Sequence, residues 1–273
     1  MNQAAEKLEI LPIPAFVDNY LWLLCRGDQA VVIDPGDATP VEQALADRGL
    51  RLSAILITHH HPDHIGGLKA LTARRPDIAL FGPQGEADKI RQMTHPLLDG
   101  DQVELLGRTF QVMEVPGHTL GHIAYFSPAT DTEPDLLFCG DTLFSAGCGR
   151  LFEGTPAQML KSLDRLAALP PETAVYCTHE YTMANLAFAL AVEPQNTDLR
   201  AYVDQVKQWR AANQPSLPSN LRLERAINPF LRADQADVQC AATAFNGAAL
   251  DERTAVFAAL RRWKDNFKPP AAL

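Results

Sequence analysis

The sequence predicts an α/β protein whose first 180 residues are rich in strands and whose remainder is helical. Three observations carry this. Short runs of Val, Ile, Leu and Phe bounded by Gly, Pro or Asp recur through the first part. Beyond about Glu180 the strand signals give way to long helical patterns. Charge changes at the same place: residues 181–273 hold 11 Lys and Arg against 9 Asp and Glu, whereas residues 1–180 hold 13 against 24. Two domains are therefore expected, 1–180 and 181–273, with no flexible linker between them.

Ten strands are expected in the first part: Leu8–Pro14, Tyr20–Cys25, Ala30–Ile33, Ala54–Thr58, Ile78–Phe81, Gln102–Leu106, Thr109–Val115, His122–Phe126, Leu136–Cys139 and Ala174–Cys177. Three helices separate them. The first has Thr39 as N-cap, Pro40 at the first position, Glu42 completing a capping box and Gly49 past its end. The second covers Ile65–Arg74 and stops before Pro76. The third has Thr155 as N-cap with Pro156 and Gln158 in the matching positions, and runs to about Ala168. The helices expected beyond are Tyr181–Val192, Asp198–Asn213, Asp234–Phe245 and Glu252–Asn266, with Gln214–Asn220 as a loop.

Composition excludes several classes. The 273 residues are 47% hydrophobic and 21% charged, enough apolar material for a sizeable core. A formal charge of −9 argues against broad nucleic-acid binding, which rests on Lys and Arg neutralising phosphates. Met1–Ile10 has no signal-peptide apolar region, and no apolar run approaches the ~18 residues of a membrane span. The five cysteines are scattered without a Cys-x-x-Cys pair, which reads as reduced thiols in a cytoplasmic protein. A monomer is the default expectation.

The run Thr58-His59-His60-His61-Pro62-Asp63-His64 is the most informative stretch. It follows an apolar strand and precedes a Gly-Gly pair, so a loop leaving a buried strand can aim several side chains at one point. Imidazoles and a carboxylate suit Zn, Fe or Mn. Further donors stand at turn positions after strands: His118, Asp141 and His179. Seven donors are too many for one tetrahedral zinc and suit two metals with a shared carboxylate and open positions for water.

The His-x-His-x-Asp-His pattern at His59, His61, Asp63 and His64, with the later Gly-His, Gly-Asp and His donors, resembles the metallo-β-lactamase superfamily. The chain is most similar to the glyoxalase II (hydroxyacylglutathione hydrolase) family. The likeness includes Phe16-Val17-Asp18-Asn19-Tyr20, the run from Cys139 to Arg150, the run from His179 to Asn185, and Arg261 to Phe267, so it covers nearly the whole chain.

That resemblance implies a four-layer αββα sandwich followed by a smaller α-helical domain. It implies two divalent metal ions per chain, Zn first and Fe or Mn as the other choices. His59, His61 and His118 would hold one; Asp63, His64 and His179 the other; Asp141 would bridge them. The implied reaction is hydrolysis of the thioester of S-lactoylglutathione, or another S-(2-hydroxyacyl)glutathione, to D-lactate and glutathione, the second step of methylglyoxal detoxification. Asp63 would orient the attacking hydroxide. Arg150, Arg261 and Lys264 would bind the glycine carboxylate of glutathione, and Tyr181 its peptide part. Arg150 stands where relatives often have Lys, and Phe152 where they often have Tyr. His60 and His122 are not expected to be ligands, and His95 has no evident partner. Cys139, Cys148 and Cys177 are expected to pack rather than react. The alternative of similar fold is an iron-dependent persulfide dioxygenase, which the seven donors and the long helical tail disfavour.

Overall fold

Each expected strand run forms a strand, and the apolar alternation decides how it is buried. The computed structural model describes residues 7–268. These group into two compact units: one takes in the described residues up to Glu114 together with Gly121–Gly140, the other Val115–Leu120 and the residues from Asp141 onward.

In the first unit a sheet runs in the order β1-β2-β3-β4-β5-β6, formed by Glu9–Ala15, Asn19–Arg26, Gln29–Ile33, Arg51–Leu56, Ala79–Pro83 and His95–Leu97. The first three strands are antiparallel, joined by tight turns. From β3 to β6 the pairing is parallel, which requires crossovers. Helix α1 (Ala38–Arg48) makes one, and α2 (Pro62–Ile65) with α3 (Leu68–Arg74) lies in the next. Val41, Leu45, Leu68 and Leu71 of these helices pack on Leu21, Leu23, Val32 and Ile55. The alternate residues Trp22, Leu24, Val31 and Ile33 are buried as well, so both faces of this sheet are covered. A second, antiparallel run comprises β7 (Gln102–Leu105), β8 (Arg108–Glu114), β9 (Ile123–Ser127) and β10 (Leu136–Gly140). Tyr125 of β9 donates its hydroxyl hydrogen to the Ile57 carbonyl at 2.8 Å, and Ile123 N–H donates to Thr58 O at 3.0 Å.

The second unit carries the small hairpin β11–β12 (Leu143–Phe144, Gly147–Cys148), helix α4 (Pro156–Ala167), and β13 (Ala174–Cys177) paired with β14 (Ser219–Asn220). Helices α5 (Thr182–Val192), α6 (Thr197–Ala211), α7 (Leu221–Ile227), α8 (Ala236–Asn246) and α9 (Arg253–Asn266) complete it. Leu186, Ala189, Leu199, Val206 and Ile227 form one buried cluster of α5, α6 and α7. Buried Glu224 and Asn228 hold the β11–β12 hairpin: Ala146 N–H donates to Glu224 Oε2 at 2.8 Å, and Asn228 Nδ2 donates to Gly147 O at 2.9 Å. Among the described residues no helix is long and apolar enough to cross a membrane.

Several details differ from expectation. The N-cap of α1 is Asp37, not Thr39; its carboxylate accepts from Thr39 N–H, which places the cap two residues earlier. The expected helix Ile65–Arg74 is two helices, broken at Gly66-Gly67. There the backbone passes so close to Pro35 and Gly36 that a Cβ would meet their carbonyl oxygens at 2.4 and 2.5 Å. Strands β6, β11, β12 and β14 and helix α7 have too short a pattern to be read in advance. The Thr155 capping box with Gln158 and the left-handed Gly49 that ends α1 are both present.

Candidate metal and substrate site

In the first unit the donors leave the carboxyl end of β4, a parallel strand whose last residues Ala54, Ile55 and Leu56 are fully buried. That end of a parallel sheet is where open α/β sheets bind ligands. Asp34, at the end of the neighbouring β3, organises the loop. Its Oδ1 accepts from Thr58 N–H and its Oδ2 from the Thr58 hydroxyl, both at 2.7 Å. With its hydrogen committed to Asp34, the Thr58 oxygen faces His59 Nδ1 at 3.1 Å as an acceptor. That assigns the His59 proton to Nδ1 and leaves the Nε2 lone pair 3.1 Å from His61 Nδ1. Asp34 Oδ2 also lies 3.1 Å from His64 Nδ1, and Asp63 Oδ2 lies 3.6 Å from His64 Nε2.

His61 is the N-cap of α2, so His61, Asp63 and His64 come from a single turn. His59 and His64 are fully buried, with ring centroids 4.0 Å apart, while the Asp63 side chain stays 38% exposed. The cluster thus opens toward solvent at its carboxylate. His122 is buried and stacked on His59 at 4.5 Å. His60 turns to Glu86, its Nδ1 2.9 Å from Oε2. His95 pairs with Thr94 Oγ1 at 2.8 Å.

The second unit brings together His118, Asp141 and His179. Asp141 Oδ2 lies 3.4 Å from His118 Nε2 and 3.3 Å from His179 Nε2. His118 Nδ1 is 2.9 Å from the carbonyl of Arg150. A carbonyl only accepts, so Nδ1 carries the hydrogen and Nε2 offers its lone pair toward the carboxylate. Gly149 is required here, because a Cβ would sit 1.9 Å from the Asp141 carbonyl oxygen. All three side chains are buried. The first unit thus gathers His59, His61, Asp63 and His64, and the second His118, Asp141 and His179; imidazoles and carboxylates of this kind fit borderline divalent metals.

A cleft of about 460 Å³ in the second unit is lined by His118 and Asp141, by the rings of Phe144, Phe152 and Tyr181, and by Arg150, Arg261 and Lys264. The four expected substrate contacts therefore share one cleft with two of the donors. Arg261 is buried: Nη1 donates to Cys148 O at 3.0 Å, Nη2 donates to Asp265 at 2.9 Å, and the guanidinium lies 4.9 Å from the Phe230 ring centre. Lys264 donates to Ala184 O at 2.7 Å. Burial, reinforced by Arg261, lowers its pKa to about 8. Arg150 is the exposed cation of the cleft, its side chain 66% exposed, with Nε 3.8 Å from Asp265. Phe152 meets His118 edge-on at 5.2 Å. Cys139, Cys148 and Cys177 are buried, and desolvation raises the Cys148 pKa.

Sequence reasoning gave no role to Asp34, Asn19 or Asp265. Asp34 opens an Asp-Pro-Gly run, and its place at the end of the strand beside the histidine strand is the signal that would have found it.

Residues 16–179 match the model of the metallo-beta-lactamase superfamily, and residues 180–267 match that of the hydroxyacylglutathione hydrolase C-terminus. The chain is thus a metallo-β-lactamase-fold protein, with two sheets flanked by helices and a C-terminal helical domain. Within that class, a protein of Albidiferax ferrireducens named hydroxyacylglutathione hydrolase is 56% identical over 263 residues, 95% of this chain and all of that one. The chain belongs to the hydroxyacylglutathione hydrolase family, whose members are hydrolases. Among solved structures, ETHE1 from Myxococcus xanthus is 24% identical with a TM-score of 0.63 over 97% of this chain and 92% of that one, a likeness of fold. TTHA1623, solved in a di-iron-bound form, is 32% identical with a TM-score of 0.50 over 62% of this chain and 91% of that one.

Proposed function

We propose that this chain hydrolyses S-(2-hydroxyacyl)glutathione thioesters, S-lactoylglutathione above all, to D-lactate and glutathione, the second step of methylglyoxal detoxification. The observation that carries it is a cleft lined by His118 and Asp141 together with Arg150, Tyr181, Arg261 and Lys264. It sits in a chain 56% identical along nearly its whole length to a protein named for that activity.

His59, His61 and His118 would hold one metal, Asp63, His64 and His179 a second, and Asp141 would bridge them. The hydrogen bonds of His59 and His118 support this, since each places the hydrogen on Nδ1 and leaves Nε2 to ligate. Two divalent metals, when bound, supply a nucleophile at neutral pH and polarise the thioester carbonyl. Zn is our first choice, with the di-iron form of TTHA1623 favouring Fe as the second.

Asp63, partly exposed, orients the attacking oxygen. Arg150, Lys264 and Arg261 supply the positive charge for the glycine carboxylate, and Tyr181 meets the peptide. The departing thiolate, with a pKa of about 8.5, needs little protonation. No cysteine serves as nucleophile. The seam at residue 180 divides the catalytic from the substrate-binding domain, a reading supported by the meeting of the two family matches at 179 and 180. We place the enzyme in the cytoplasm as a monomer.

The test is hydrolysis of S-D-lactoylglutathione with metal content measured on the same sample. Turnover with about two metals per chain is expected. One iron per chain with oxygen consumption on glutathione persulfide would instead identify the dioxygenase.

A further inference from the structure

We propose that Asn19 is a positioning residue for Asp63: the β1–β2 turn acts as a clamp that fixes the Asp63 carboxylate for metal binding. Asn19 opens β2, opposite Ala15 and across the turn Phe16-Val17-Asp18. It is 4% exposed, and its Nδ2 donates to Asp63 Oδ2 at 3.0 Å, across 44 residues of sequence. An amide suits this place. It donates without adding charge, so it favours the ionised carboxylate and leaves lone pairs of that carboxylate to a cation.

Two features of the same turn point the same way. Phe16 is left-handed, φ 52°, a conformation an aromatic residue holds only when its surroundings impose it. Its ring edge lies against Gly36, where a Cβ would meet Phe16 Cε2 at 2.9 Å and the Asp63 carbonyl oxygen at 1.8 Å. One side of Asp63 is thus held by the Asn19 amide, while its backbone abuts the glycine on which Phe16 rests. Val17, at the tip, is 97% exposed, so the tip itself has no packing role. Asn19 does for Asp63 what Asp34 does for His64: neither touches a metal, and each restricts the rotamer of a residue that would.

This rests on Asp63 being a metal ligand, and the experiment separates the two ideas. Wild type, Asn19→Ala and Asn19→Ser are loaded with Zn and titrated with a competing chelator while bound metal is counted. The serine hydroxyl is too short to reach Asp63 but remains compatible with the buried position. Both variants are expected to surrender one of two ions at a chelator concentration ~10–100-fold lower than wild type, the range typical of lost outer-sphere support. They should keep the other ion. Metal-free melting temperatures should match wild type, and kcat should fall with KM unchanged. Chelator resistance equal to wild type in either folded variant overturns the proposal. So does an equal loss of melting temperature in the metal-free proteins, which would make Asn19 merely structural. Wild type holding fewer than two ions would overturn the reading of the site instead.

Discussion

Tyr181 lies flat on His179, with ring centroids 4.6 Å apart and planes 2° from parallel. Phe144 meets both rings edge-on, at 5.8 Å and 5.4 Å. The imidazole is thereby pinned on one face by a residue that lines the same cleft as His118 and Asp141. Tyr181→Phe keeps the stack and removes the hydroxyl. It is expected to retain full metal content and raise KM by the worth of one hydrogen bond, about 0.5–1.5 kcal/mol. Tyr181→Ala should in addition lower metal retention. Steady-state kinetics with metal analysis checks both, and an unchanged KM in Tyr181→Phe would remove the hydroxyl from substrate binding.

Lys264 gives the cleft a pH dependence. With its pKa lowered to about 8 by burial and then by Arg261, it is charged at neutral pH and loses that charge just above. KM for the anionic substrate should therefore rise as pH passes through about 8. Lys264→Arg should flatten that rise, because arginine stays charged. The stability effect has a definite sign. A folded pKa of about 8 below the ordinary 10.5 means the unfolded chain binds more protons between those values. Stability from this group is complete above 10.5 and falls as pH drops through about 8, so Lys264→Met should melt higher than wild type at pH 7. A KM flat from pH 7 to 9.5 would show that the ammonium does not meet substrate.

Asp34 accepts from Thr58 twice and lies beside His64, so it governs two imidazoles at once. Asp34→Asn should weaken metal binding by ~10–100-fold, read by chelator competition. Asp141→Ala should go further and strip at least one ion outright. A fully loaded, fully active Asp141→Ala protein would end the bridging role.

Glu224 is wholly buried, and desolvation raises its carboxyl pKa above the ordinary 4.5. A raised folded pKa gives stability that is full below 4.5 and is lost as pH rises through the folded value. Glu224→Gln, a neutral isostere that keeps an acceptor for Ala146 N–H, should match wild type at pH 4 and melt higher at pH 8. Glu224→Ala should be destabilised at every pH by the buried Ala146 N–H left without its acceptor, ~1–3 kcal/mol. A denaturation series against pH tests the crossing.

The seven donors were legible because their chemistry is local. Four of the seven stand in one heptad after an apolar strand, and the other three follow strands in short turns. Strands such as Ile123–Ser127 were legible for the same reason, a short apolar run with punctuation on both sides. What escaped is non-local. Asn19 and Asp34 act on residues 44 and 24 to 30 positions away, and nothing in their immediate neighbours marks that. The break at Gly66-Gly67 is set by the approach of the Pro35-Gly36 backbone, which no helical pattern records. Helix α7 has only seven residues and its role, holding the β11–β12 hairpin through Glu224, is tertiary.

Four of the five cysteines are buried and Cys240, on α8, is exposed; none is in a disulfide. A chain whose proposed product is itself a small thiol therefore offers that thiol no bond to reduce, and Cys240 is the one exposed thiol that could exchange with its disulfide form. The same asymmetry leaves the natural sequence with one ready point for attaching a fluorophore or a surface. That point lies on a helix that contributes none of the seven donors, so labelling there would report on the enzyme without any cysteine having to be removed.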